Sequence, residues 1–259
     1  MKLSHLNSSM LLICLAFFGI ACNTAEQKSV NSSGISHPAA TPAALSQPAA
    51  ATDSQTDQTN NDIAGQYSAV GTNPDGAGEY KADLLITKRD DVYQFSWASG
   101  PSTYDGVGVT IGSSAAVSFT NGTDGKGCGV VLYNINADGS LDGKSGYWGV
   151  NTIETEKATR KSGTDLDGEY DITGKDPEGK VYKGTLSVTK QGLGFNFKWG
   201  GESNLEGFGI RGGDYVAVGF GGKQCSFVAY DIESDGTLDG RWGSSGSKSF
   251  GTEVAKPKK

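Results

Sequence analysis

"VYKGTLSVTKQGLGFNFKW", residues 181–199, alternates with a period of two. Tyr182, Gly184, Leu186 and Val188 fall on one face of an extended chain, and Lys183, Thr185, Ser187 and Thr189 on the other. After a glycine-bearing turn the alternation resumes with Phe195, Phe197 and Trp199 aligned. Two such runs joined by a short turn predict a β-hairpin with one face buried. A counterpart, "EYKADLLITKRDDVYQFSW", stands at 79–97 with Tyr93, Phe95 and Trp97 in the same places.

The correspondence extends along most of the chain. "DIAGQY" (62–67) matches "DLDGEY" (165–170), and "YDGVGV" (104–109) matches "LEGFGI" (205–210). "CGVVLYNINADGSLDG" (128–143) matches "CSFVAYDIESDGTLDG" (225–240), and "IETEKA" (153–158) matches "FGTEVA" (250–255). A period near 100 residues is too long for a solenoid and long enough for a domain. Each copy reads as eight short strands separated by turn residues. The expected fold is all-β: two tandem, small, eight-stranded antiparallel up-and-down barrels, repeat 1 over 62–160 and repeat 2 over 161–256. A barrel of eight strands is filled by its own side chains or holds one small ligand. The doubled Asp-Gly after Ala137 and Ser234 predicts a hairpin turn of type I′, in which both central residues need positive φ.

Lys2 precedes an apolar run, Met10–Ile20, of secretory length and too short to span a bilayer. "FGIAC" then reads as a lipobox, so residues 1–21 are expected to be a lipoprotein signal peptide and Cys22 the lipidated residue. Acyl chains there would make the membrane a partner. Asn23 after the cysteine leans toward an outer-membrane or cell-surface location. Residues 22–61 are rich in Ala, Ser, Thr, Pro, Gln and Asn, a composition expected to form a disordered tether.

The net charge of −7 offers no basic field for nucleic acid. The only histidines, His5 and His37, precede the repeats, so no His-based triad or zinc site can form there. Two carboxylates across a cleft would be needed for a glycosidase; Glu206, and Asp105 in the first copy, are candidates but are expected to face water. No enzyme and no cofactor are expected. Asp231, Glu233 and Asp235 have the spacing of the first calcium-loop ligands, yet Trp242 stands where the bidentate Glu belongs, so the turn reading is preferred. Cys128 and Cys225 occupy equivalent places and can form an inter-domain disulfide if the repeats meet about a twofold axis; otherwise they are free core thiols. Trp97, Trp199, Tyr104 and Phe208 are the candidate ligand-contacting aromatics.

The opening Gly-x-Tyr, the "NPDG" turn, the "Y-K-x-x-L-x-I-T-K" and "Y-x-F-x-W" runs, "D-G-V-G-V" and the closing Thr-Glu together resemble a family of bacterial secreted proteins, some labelled fibronectin-binding by similarity. Calycins and, in shape, avidin-like barrels are similar in strand count. What the resemblance implies is a membrane-anchored lipoprotein whose barrels bind a macromolecule, such as fibronectin or other extracellular matrix. The alternative is a calycin-like carrier of a small apolar ligand.

Overall fold

The computed structural model describes residues 62–122, 124–201, 204–222 and 224–259; the stretches expected to be a signal peptide and a tether, with Cys22, lie outside the described residues. The first copy contributes β1 (Gly65–Thr72), β2 (Glu79–Arg89), β3 (Val92–Ser99), β4 (Ser102–Ile111), β5 (Ser114–Asn121), β6 (Cys128–Ile135), β7 (Leu141–Tyr147) and β8 (Glu154–Thr164). The second contributes β9 (Asp167–Lys175), β10 (Val181–Gln191), β11 (Gly194–Gly200), β12 (Leu205–Gly212), β13 (Tyr215–Gly221), β14 (Ser226–Ile232), β15 (Leu238–Gly243) and β16 (Gly251–Pro257). They close into two antiparallel barrels of eight strands.

The fold class is as expected, but the boundary between copies is not the boundary between barrels. One barrel runs β1–β16–β15–β14–β5–β4–β3–β2 and the other β10–β11–β12–β13–β6–β7–β8–β9. The division at 62–160 and 161–256 is therefore corrected. β6 to β13 form a contiguous inserted barrel, while β1–β5 and β14–β16 form a split barrel on either side of it in sequence. β5 pairs with β14, placing Val117 opposite Val228, and β13 pairs with β6, placing Val218 opposite Val131. Because β6 and β14 are copies, each presents β5 with the same kind of edge, and exchanging them sacrifices no ladder hydrogen bonds.

Each barrel has its own core. Phe95 fills the middle of the split barrel, stacked 5.4 Å from Trp97 and 6.3 Å from Tyr230. Phe197 does the same in the inserted barrel, 5.8 Å from Trp199 and 6.0 Å from Tyr133. One end is closed by a residue just ahead of the first strand of each copy. Ile63 and Leu166 are buried there, and the hydroxyls of Tyr67 and Tyr170 donate to their carbonyls at 2.9 Å. This is the use of the Gly-x-Tyr opening seen in both copies.

A third apolar cluster joins the barrels through their outer faces. It holds equivalent residues from both copies: Val107 and Phe208, Val109 and Ile210, Ala116 and Ala217, Val130 and Phe227. A surface built from the same positions twice is the mark of a pseudo-twofold interface. Cys128 and Cys225 lie in it and are joined by a disulfide with Cα atoms 5.9 Å apart. Of the two alternatives for these cysteines, the pairing is the one present.

The Asp-Gly turns form as hairpins, though not as type I′. Gly139 and Gly236 have φ of +78° and +81°, whereas neither Asp138 nor Asp235 has positive φ. Gly139 N–H donates to Asn136 O at 2.8 Å and Gly236 N–H to Glu233 O at 2.9 Å, so each loop holds a four-residue β-turn whose last residue is a left-handed glycine.

Candidate ligand-binding sites

At the end of each barrel away from its plug lies a pocket, of about 210 Å³ in the split barrel and 240 Å³ in the inserted one. The floor of each carries a glutamate. Glu253 on β16 is 4% exposed and Glu156 on β8 is 9% exposed. Both come from the doubled Thr-Glu, at the strand parity that also points Ala255 and Ala158 inward.

Three donors converge on each carboxylate. Glu253 accepts hydrogen bonds from Tyr230 Oη, from Tyr80 Oη at 2.8 Å and from Trp97 Nε1 at 3.1 Å. Glu156 accepts from Tyr133 Oη, from Tyr182 Oη at 3.2 Å and from Trp199 Nε1 at 3.3 Å. The residues are the same four types in the same four places. The strand exchange mixes their origin: the split barrel takes Tyr80 and Trp97 from the first copy, Tyr230 and Glu253 from the second. Burial pushes the Tyr133 and Tyr230 hydroxyls well up, and the adjoining carboxylates push them further, so both remain donors at any ordinary pH.

Glycines seat the tyrosines. A Cβ on Gly143 would stand 2.5 Å from the Tyr133 ring, and one on Gly240 would stand 2.5 Å from Tyr230. Gly174 and Gly71 make the same room for Tyr182 and Tyr80. Each ring lies across a strand where a side chain would otherwise stand, and several of the mid-strand glycines serve this purpose.

Aromatic walls rise from the floor. In the split barrel Trp97 lies 5.2 Å from Phe119, Phe119 lies 5.8 Å from Trp242, and Trp242 meets Tyr80 edge-on at 6.0 Å. Tyr104 stands edge-on to Phe119 at 6.2 Å. In the inserted barrel Trp199, Phe220 and Tyr147 form the corresponding arc, at 6.0 and 5.1 Å. Ser145 and Glu154 occupy the places of Trp242 and Gly251, and their side chains are hydrogen-bonded at 3.2 Å.

Of the four candidate aromatics, Trp97, Tyr104 and Trp199 line these pockets. Phe208 does not: it is buried in the cluster between the barrels, a correction to its reading as a ligand contact. β12 is covered on both faces, so alternation alone could not tell inside from interface. Glu206 is exposed, as expected, and pairs with Lys198 at 3.0 Å, whereas Asp105 is buried, a correction to its reading as facing water. Asp235 accepts its own turn's Thr237 N–H at 2.9 Å, and among the described residues no group of three or more His, Cys, Asp or Glu is placed to hold a metal. Asp231 lies on β14, and Glu233 and Asp235 lie in the turn that follows it, closed by Gly236 N–H donating to Glu233 O.

Burial raises the Glu156 carboxyl above its ordinary 4.5, outweighing the hydrogen bonds from Tyr133, Trp199 and Tyr182 that act the other way. Burial also raises half-buried Glu154. A raised carboxyl binds its proton more tightly in the folded state. Its contribution to stability is therefore full below the unfolded value and is lost as pH rises through the folded one. Asp138, Asp165 and Asp235 are shifted down, mainly by hydrogen bonds from Ser140, Arg211 and Thr237, so their effect falls in a lower pH window. The urea midpoint is expected to decline as pH rises above 4.5, and Glu156→Gln is expected to flatten that decline. An unchanged pH profile in the variant would refute the assignment.

Comparison of the chain with protein-family models, with curated proteins and with solved structures returns no match.

Proposed function

We propose that this is a non-catalytic binding protein that takes one small organic molecule into each barrel and, through the lipobox-like Cys22, does so from a membrane surface. The observation that carries the reading is the duplicated pocket, with its glutamate, two tyrosines and tryptophan in equivalent places. A pocket common to both barrels favours a small ligand over an extracellular-matrix protein, for which a shared exposed surface would be expected. The volumes lie below the range typical of drug-sized ligands, which points to a small metabolite or a single head group. A charged floor argues against a wholly apolar ligand, because placing hydrocarbon against an ionised carboxylate removes its solvent and returns nothing.

The test is a thermal-shift and tryptophan-fluorescence screen of the purified full chain against a panel of small metabolites covering amines, amino acids, sugars and organic acids. Hits are expected to raise the midpoint and to perturb Trp97 or Trp199 emission. Trp97→Phe with Trp199→Phe should weaken them by removing the indole donors while keeping the walls apolar. A panel that moves neither signal in the wild type would overturn the reading.

A further inference from the structure

Glu253 is the charged member of the split-barrel lining, which otherwise consists of aromatic, small apolar and neutral polar side chains. Among the described residues neither Glu253 nor Glu156 forms an ion pair with Lys or Arg. The three donors satisfy part of each carboxylate but bring no positive charge. Oε1 of Glu253 receives Trp97 and Tyr230, whereas Oε2 receives Tyr80 alone. Two lone pairs per oxygen leave Oε2 with an unused acceptor site. A nearly buried anion without a counter-charge is costly, and pairing is the usual remedy. The walls are what an organic cation prefers: the faces of Trp and Tyr carry negative electrostatic potential, and several around one centre form a cage for an ammonium group.

We propose that the pockets are organic-cation sites, with the split barrel suited to a methylated ammonium. This rests on the reading of the pockets as ligand sites and names the ligand's charge and head group. A quaternary ammonium has no N–H to satisfy. It therefore suits a cage in which Trp97, Phe119, Trp242 and Tyr80 surround the space above a single carboxylate. In the inserted barrel, Ser145 and Glu154 replace an aromatic wall and a glycine with hydrogen-bond acceptors. That pocket suits an ammonium that retains N–H groups. Lys180 and Lys183 are exposed at its rim rather than on its floor.

The test uses three probes on the purified full chain by titration calorimetry: choline, its uncharged carbon isostere 3,3-dimethylbutan-1-ol, and the smaller, unmethylated ethanolamine. Choline is expected to bind at least tenfold more tightly than the isostere. Glu253→Gln, which keeps an acceptor for the tyrosines, should weaken choline at least tenfold and leave the isostere unchanged. Trp242→Ala should weaken choline and spare ethanolamine, whose expected site is the other barrel. Equal binding of choline and the isostere would overturn the cation inference while leaving the ligand-site reading intact. So would equal losses for both probes in Glu253→Gln. Binding of neither choline nor ethanolamine, with a neutral hit in the metabolite panel, would also overturn it. Circular dichroism and melting of each variant separate lost binding from lost folding.

Discussion

Replacing Cys128 and Cys225 together by Ser is expected to lower the free energy of unfolding by about 4 kcal/mol. The estimate follows from the roughly 100-residue loop that the bond closes in the unfolded chain, worth close to 4.7 kcal/mol on chain entropy alone. In urea, with a slope of about 2 kcal/mol per M, the midpoint would fall by about 2 M. Placement makes the bond matter here. Cys128 opens β6, and Cys225 immediately precedes β14, so the bond spans the two places where the chain passes between barrels. Without it, the split barrel must form with the whole inserted barrel as the loop between β5 and β14. A shift below about 0.5 M would show that the unfolded chain gains little freedom from the loss.

Glu253→Ala should be the most damaging single change in the split-barrel pocket, at about 3 kcal/mol. The side chain is an acceptor shared by Tyr80, Tyr230 and Trp97, and each buried donor left without one costs about 1–3 kcal/mol, less what pocket water restores. Glu253→Gln should recover most of the loss, because an amide oxygen still accepts from the tyrosines. Urea unfolding of both variants checks this. If Ala proved as stable as Gln, the network would be shown to contribute no stability.

Period-two alternation, the doubled Asp-Gly turns and the matched cysteines were sufficient to read two eight-stranded barrels. Which strands close which barrel was not legible, and the reason is chemical degeneracy. β5 meets the same barrel-facing residues whether its neighbour is β6 or β14, Val131, Tyr133 and Ile135 or Val228, Tyr230 and Ile232, so no inward-facing side chain records the choice. Phe208 was misplaced for a related reason. β4, β5, β6, β12, β13 and β14 carry long stretches buried on both faces, and alternation identifies the interior only where the other face meets water. The site glutamates were visible as a repeated Thr-Glu but served only to align the copies. Their inward parity with Ala158 and Ala255, and the tyrosines whose equivalents lie opposite glycine in both copies, are the signals that could have located the pocket. The indoles were legible because Trp97 and Trp199 end an aromatic run that has to face the barrel interior.

With Cys128 joined to Cys225, the chain between them is a covalent ring with two arms, and the arms alone build the split barrel. A single peptide-bond cut anywhere in that ring, for instance at the exposed β9–β10 turn beside Gly179, would leave the protein one covalent molecule. Both ends of the split barrel's chain would still be held together at its β5–β14 seam. Two cuts would release a piece of the inserted barrel and still leave the arms bridged. In surroundings that contain proteases, the barrel assembled from distant segments thus keeps its covalent continuity even when the contiguous one is nicked.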